Sequence, residues 1–261
     1  MIPAPTTGRA VHAEWIKIRT LRSTWLTAVA AVAVALTFAV LGYHSTAHAW
    51  PRWTPSQRAS FDPVRAGLAG PMDLMVLALG TLGVLTASSE YGTGLIRATF
   101  TATPARFHVV TAKILIVGAV TLVLGEAIAF AIFETGQHLI AGTGAQVSLS
   151  HPHVARAVTG AGLFLTGSAL TGLGLGFVIR RTAGALAVFF GLYFVAPLLL
   201  GAISDTLAKA ALPAVSNSIF AMRPPPPDKV LPSVPAAFAI LAGYAVISLG
   251  AAYLTGRRRD A

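Results

Sequence analysis

Long stretches without a charged side chain recur along this chain, and they constrain its fold more than any other feature. The first extends from Ser23 to Tyr43, which is long enough for one helical crossing of a bilayer at about 1.5 Å of rise per residue. Only 11% of the 261 residues are charged, and the mean hydropathy is +0.72. Soluble domains carry about 25% charged residues, so this much apolar surface predicts an integral membrane protein.

The apolar runs predict an all-α membrane protein with six transmembrane helices in one domain over residues 1–261. Prolines, glycines and charged residues separate the runs. The predicted spans cover about residues 23–43, 68–89, 109–133, 157–179, 182–204 and 234–255. An irregular or helical extracellular segment is expected between spans five and six, where Pro224 to Pro227 indicates a stiff extended stretch.

The residues before the first span predict a basic helix in the membrane interface, over about residues 9–22. Val11, Trp15 and Ile18 fall on one helical face, and tryptophan is typical of headgroup depth. A simple inward extension of the first span is the alternative. A secretory signal peptide is disfavoured because the apolar run is longer than a usual signal core.

The distribution of basic residues predicts the orientation. With the N-terminus inside, the inner segments carry twelve Lys and Arg residues close to the helix ends, whereas the outer segments carry seven over longer loops. Both termini are therefore expected in the cytoplasm. The net charge of +10 comes from these scattered flanking residues rather than from a basic stripe or patch, so nucleic acid is not an expected partner.

A polar stretch from Glu90 to Lys113 separates the second and third spans. It carries several charged residues, whereas the flanking runs carry almost none. Pro104 interrupts it, and a short helix is expected over about residues 91–101. The predicted orientation places this stretch in the cytoplasm, where it would contact a partner. An ordinary solvated loop whose basic residues only set the topology is the alternative.

In its order of motifs the chain resembles the permease subunits of ABC-2 type transporters, most closely the actinobacterial ones. The resemblance includes a basic N-terminal helix, a tight turn between spans four and five, a long outer loop before the last span, and a basic C-terminus. Its most specific part is the polar stretch, which reads Ser89-Glu90-Tyr91, Gly94, Ile96-Arg97, Thr99, Ala102, Pro104, Arg106 and Lys113. Phe107 departs from it, because the family often has a second basic residue there.

The resemblance implies a permease half that pairs with a second permease subunit, identical or different, and is driven by a separate ABC ATP-binding subunit. The polar stretch would form a coupling helix in a groove of that ATPase, with these contact positions: Glu90, Tyr91, Gly94, Arg97, Pro104 and Arg106. The N-terminal interfacial helix would contribute Glu14, Trp15 and Lys17. The implied location is the cytoplasmic membrane of a bacterium.

The expected function is export of a hydrophobic or amphiphilic substrate such as a drug, a peptide or a lipid. The sequence contains no Walker A pattern, so we expect no enzymatic activity and no cofactor in this chain, with ATP and Mg bound by the partner subunit. A membrane-embedded sensory or structural protein is the alternative from another class, and a secondary transporter is the third possibility.

Two features inside the spans carry further expectations. Glu126 is a carboxylate well within the third span, where it would line a pathway or hydrogen-bond to a neighbouring helix. Gly172 and Gly176 form a GxxxG pair in the fourth span, for which packing within the subunit is favoured over dimerisation. The histidines of the outer loops are loosely spaced, which favours polar loops over a metal site.

Overall fold

The structure is a computed structural model that describes residues 7–20, 22–92, 106–223 and 230–258, and these residues form helices and connecting turns with no strand. The helices are α1 (Thr7–Thr20), α2 (Arg22–Ala49), α3 (Pro55–Ser60), α4 (Pro63–Gly92), α5 (Arg106–Leu139), α6 (Val154–Ile179), α7 (Thr182–Phe190), α8 (Ala196–Ile203), α9 (Asp205–Ala208), α10 (Leu212–Phe220) and α11 (Val234–Arg258). A 3-10 turn at Trp50–Arg52 follows α2, and a π-helical segment at Gly191–Val195 connects α7 to α8.

Six helical stretches in the described part of the chain are long and apolar enough to cross a membrane, which confirms the number predicted from the sequence. Their bounds are Ala28–Arg52, Pro63–Gly92, Phe107–Leu139, Val154–Ile179, Thr182–Ile203 and Val234–Thr255. The second of these helices begins at Pro63, several residues before the predicted start of the span, and passes through Pro71. A proline inside a span is tolerated where neighbouring helices pack around it, and Pro71 is buried.

Helix α6 lies at the centre of the bundle, packed against α4, α5 and α11. Its glycines permit this close approach. A Cβ atom at Gly172 would lie 2.4 Å from the carbonyl oxygen of Gly80, and one at Gly176 would lie 2.6 Å from that of Val84. Any larger residue would push α6 away from α4. The GxxxG pair therefore packs inside the chain.

The outermost helices have large apolar side chains on their exposed faces. In α2 these include Leu26 and Leu41, and in α8 they include Leu198 and Ile203. Contiguous apolar surfaces of this kind are typical of contact with acyl chains or with another subunit.

The end of the bundle at which α4 begins is held together by bonds from side chains to backbone groups. One carboxylate oxygen of Asp62 accepts from the Arg65 N–H at 2.9 Å, and the other accepts from the Met222 N–H at 2.9 Å. The Arg156 guanidinium donates to the carbonyl oxygen of Ile219 at 3.2 Å. We call Asp62 and Arg156 the loop anchor, because together they fix the chain that follows α10.

Candidate functional site

Helix α1 packs on α5 through a face that contains a carboxylate. Glu14 and Ile18 are buried one turn apart, whereas Trp15 is 43% exposed. Of the apolar face predicted from the sequence, Trp15 is exposed and Ile18 is buried, and Glu14 takes the inward position beside Ile18. At the other end of α1, the Thr7 hydroxyl lies 2.7 Å from the His108 Nδ1 of α5. A glutamate is stable at such a buried position only with charged partners.

Those partners complete an alternating ring of four charges, which we call the ion cluster: Glu14, Lys17, Glu90 and Lys113. Lys113 Nζ lies 2.7 Å from Glu14 Oε2 and 2.7 Å from Glu90 Oε1. Lys17 Nζ lies 2.8 Å from Glu14 Oε1 and 2.9 Å from Glu90 Oε1. Lys113 also donates to the carbonyl oxygen of Thr86 at 3.2 Å, so all three of its N–H groups are used.

The two lysines of the ion cluster differ in their exposure to solvent. The Lys113 side chain is 1% exposed, and a charge buried so deeply is tolerated only because two carboxylates neutralise it. The Lys17 side chain is 43% exposed. Burial lowers the pKa of Lys17, but its hydrogen bonds to Glu14 and Glu90 and the charges of these carboxylates outweigh this and hold the pKa above its ordinary value. Lys17 is therefore cationic at neutral pH.

The ion cluster joins three helices at one end of the bundle. Glu90 lies in the last turn of α4, and Lys113 lies two turns into α5. Residues 93–105, which contain most of the predicted coupling stretch, connect these two helices. The cluster thus ties both ends of that connection to each other and to α1.

The predicted coupling residues fall into three groups. Glu90 is 7% exposed and belongs to the ion cluster, which is not the surface position that direct contact with a partner requires. Tyr91 is partly buried, with the Arg180 guanidinium carbon 5.2 Å from its ring centroid. Arg106 begins α5. The remaining positions, Gly94, Arg97 and Pro104, lie outside the described residues. The same is true of the Arg106 side chain and of the predicted coupling helix beyond Gly92.

Glu126 lies apart from the ion cluster, at the contact between α5 and α6. A Cβ atom at Gly162 of α6 would be 2.5 Å from the Glu126 carboxyl carbon, so the carboxyl group occupies the space that this glycine leaves. Its Oε2 atom is buried and has no hydrogen-bond partner among the described residues. The carboxyl group therefore lies between two helices of the same chain.

A second polar pair lies deeper in the bundle, and the sequence reasoning missed it. The Tyr193 hydroxyl donates to Asp73 Oδ1, which joins α4 to the π-helical segment. Short π-helical segments of this kind often occur at functional positions. The available signal was an aspartate within an apolar run. It was missed because no local pattern places Tyr193, 120 residues further along the chain, beside Asp73.

A cavity of about 450 Å³ borders the ion cluster. Apolar side chains of α4 form most of its wall, including Met75, Leu79 and Leu82. Ile18 of α1 and Ala28 of α2 also line it. All four residues of the ion cluster line the same cavity, so it has an apolar wall and a strongly polar end.

Comparison with known proteins gives no match to any protein-family model or to any curated protein. Among the described residues there is no group of three or more His, Asp or Glu side chains that would hold a metal ion. The ion cluster, together with the cavity beside it, is the candidate functional site.

Proposed function

We propose that this chain is the membrane permease subunit of an ATP-driven exporter of the ABC-2 type. The observation that supports this proposal is the ion cluster, which ties the connection between α4 and α5 to α1. Separating a buried ion pair leaves charges without partners, and such losses cost about 3–5 kcal/mol. A partner that displaces residues 93–105 would therefore move the inner ends of three helices together. Rigid-body movement of this kind is a common form of conformational switching.

In this proposal the contact with the ATP-binding subunit is made by residues 91–106, in particular Arg97 and Arg106. Glu90 has a positioning role, because its carboxylate binds Lys113 and Lys17 of the same chain at 2.7 and 2.9 Å. ATP and Mg would be bound by the partner. If both termini lie in the cytoplasm of a bacterium, as the basic residues predict, α1 and residues 93–105 would be on the same side as that partner.

A second permease subunit completes the proposed transporter. The exposed apolar faces of α2 and α8 are the surfaces that such a subunit would cover, since both present large side chains away from the bundle. Between the two subunits a hydrophobic or amphiphilic substrate would cross the bilayer. The apolar lining of these faces agrees with a substrate of that class.

The proposal predicts a specific partner in mild detergent. Purification from the native membrane should retain a nucleotide-binding subunit, identified by mass spectrometry and by its Walker A pattern. Arg97→Ala should weaken the association about thirtyfold or more, since interface arginines that act as hot spots contribute at least about 2 kcal/mol. Lys209→Ala is the matched control, because this exposed lysine lies at the other end of the bundle and should leave the association unchanged.

Two results would contradict the proposal. One is a correctly inserted protein that retains no ATPase. The other is equal retention of the ATPase by the wild type and Arg97→Ala.

The buried pair of Asp73 and Tyr193 favours one alternative, a secondary transporter driven by an ion gradient. Asp73 lies ten residues into α4, about 15 Å from its start, which would be near the middle of a bilayer whose hydrocarbon region began at that end of the helix. Carboxylates at this depth often bind protons or cations during transport. Proteoliposomes that transport an amphiphilic dye in response to a pH gradient without ATP, and lose this activity with Asp73→Asn, would favour this alternative.

A further inference from the structure

The cavity beside the ion cluster has the size and lining of a ligand site. Its volume of about 450 Å³ lies within the range of about 300–1,000 Å³ that is typical of small-molecule sites. Ala78, Leu82, Leu85 and Ser89 lie along one face of α4 at helical spacing, and all four line the cavity. Leu85 is 40% exposed and Ser89 is exposed, so the cavity opens to the side of the helix.

At the polar end of the cavity, one acceptor and one donor have no partner among the described residues. Glu90 Oε1 accepts from both lysines, but Glu90 Oε2 is buried and has no hydrogen-bond partner among the described residues. Two of the three N–H groups of Lys17 donate to carboxylates, at 2.8 and 2.9 Å. An unsatisfied buried carboxylate oxygen is costly, so a ligand that donates a hydrogen bond to it would be stabilising.

The charges of the ion cluster indicate the kind of headgroup that fits. Two lysines and two glutamates sum to zero, so the cluster has no net preference for an anion or a cation. Among the described residues, the groups that retain capacity for a ligand are the Glu90 Oε2 atom and one N–H of the partly exposed Lys17 ammonium. A headgroup of zero net charge that carries both a phosphate and a primary ammonium would satisfy both, with the phosphate accepting from Lys17 and the ammonium donating to Glu90.

The position of the cavity favours a membrane lipid over a soluble ligand. Its polar end lies where α4 ends and α1 packs, and its apolar wall extends toward the middle of α4. Trp15 on the exposed face of α1, and Lys17 and Arg19 in its last turn, are typical of a helix at headgroup depth. A polar pocket between helices at this depth is within reach of lipid headgroups.

We propose that the cavity binds a phospholipid of the phosphoethanolamine class, with its headgroup at Lys17 and Glu90 and one acyl chain along Leu82 and Leu85. The bound lipid would bridge α1 and α4 at the ion cluster. The proposal does not depend on the partner or on the transport activity proposed above.

Lipid binding to the purified, delipidated full-length protein tests this proposal by native mass spectrometry. Dioleoyl lipids with phosphoethanolamine, phosphocholine and phosphoglycerol headgroups would be compared at equal concentration, together with free phosphoethanolamine. The phosphoethanolamine lipid should bind at least tenfold more tightly than the phosphocholine lipid, which has no N–H to donate. The free headgroup should bind at least tenfold more weakly than the lipid, because it has no acyl chain.

Variants of the cavity separate specific binding from general association with lipid. Ala78→Phe should abolish the preference by filling the cavity, whereas Ala127→Phe, on an exposed face of α5, should bind as the wild type does. Thr81→Trp at the partly exposed rim is a second filling variant, in case Ala78→Phe does not fold. Lys17→Met should reduce binding of the phosphoethanolamine lipid at least tenfold. Equal binding of the three lipids, tighter binding of phosphoglycerol, or an unchanged preference in a folded filling variant would overturn the proposal.

Discussion

The two ends of α4 are both charged, but they are held together in different ways. At the start of the helix, Asp62 and Arg156 of the loop anchor bind N–H and carbonyl groups of the backbone. At its end, Glu90 binds the ammonium groups of Lys17 and Lys113, which belong to other helices. One end therefore fixes a loop in place, and the other connects whole helices through their side chains.

This difference has consequences for movement. A bond to a backbone group breaks when the loop changes its conformation, so the loop anchor resists any rearrangement at its end. Lysine ammonium groups are compact charges on flexible stems and keep their partners through small displacements of a helix. The ion cluster can therefore hold α1, α4 and α5 together while the parts of the three helices around it shift as a unit.

The largest effect is expected from Lys113→Met in the ion cluster. The substitution removes the fully buried one of the two ammonium groups that Glu14 and Glu90 share, and loss of one partner from a buried ion pair costs about 3–5 kcal/mol. Thermal or denaturant unfolding in detergent measures this change. The neutral quadruple variant Glu14→Gln, Lys17→Met, Glu90→Gln, Lys113→Met is the control, because removal of all four charges should recover much of the lost stability. A change below about 1 kcal/mol in Lys113→Met would show that the cluster contributes little.

A smaller effect is expected from Asp62→Ala in the loop anchor. Three backbone N–H groups lose their acceptor, those of Arg65, Met222 and Arg223, and unsatisfied groups of this kind cost about 1–3 kcal/mol. Hydrogen exchange should increase over the described residues 212–223 and stay unchanged at α1. Asp205→Ala, at an exposed aspartate, is the matched control. Increased exchange that spreads to α1 would show that the two ends of α4 are not independent.

The smallest effect is expected from Lys17→Met, because a half-exposed ion pair contributes only about 0–1 kcal/mol. The ion pairs raise the pKa of Lys17 in the folded state above its unfolded value. The contribution of Lys17 is therefore complete below the unfolded pKa and is lost as the pH rises through the folded one. The difference in stability between wild type and Lys17→Met should be constant from pH 6 to about pH 10 and disappear above it. A difference that changes near pH 7 would contradict this assignment.

Hydropathy predicted the six membrane helices because each apolar run is long and bounded by charged or helix-breaking residues. The helix that contains the second predicted span begins at Pro63, whereas the span was predicted from about residue 68, and it passes through Pro71. A proline ends many isolated helices, but packed neighbours compensate for it in a bundle. The orientation of the bundle and the role of residues 93–105 stay predictions.

The members of the ion cluster were all singled out in the sequence, but their convergence was not predictable. Lys113 is separated from Glu14 by 99 residues and from Glu90 by 23, and no local pattern encodes such contacts. The same limit applies to Asp62, whose carboxylate reaches the N–H of Met222 160 residues away. Helical periodicity grouped Val11, Trp15 and Ile18 on one face but did not indicate that Glu14 is buried, because it takes no account of buried charges that find partners.

The ion cluster is expected to hold α1 on α4 and α5, and the distance between α1 and α5, measured by electron spin resonance, tests this directly. The chain contains no cysteine, so spin labels can be placed at Ala13→Cys on α1 and Val123→Cys on α5, both at exposed positions. We expect one narrow distance distribution in the protein that carries only the two labels, and a broad distribution when Lys113→Met is added. Equally narrow distributions in both proteins would contradict it.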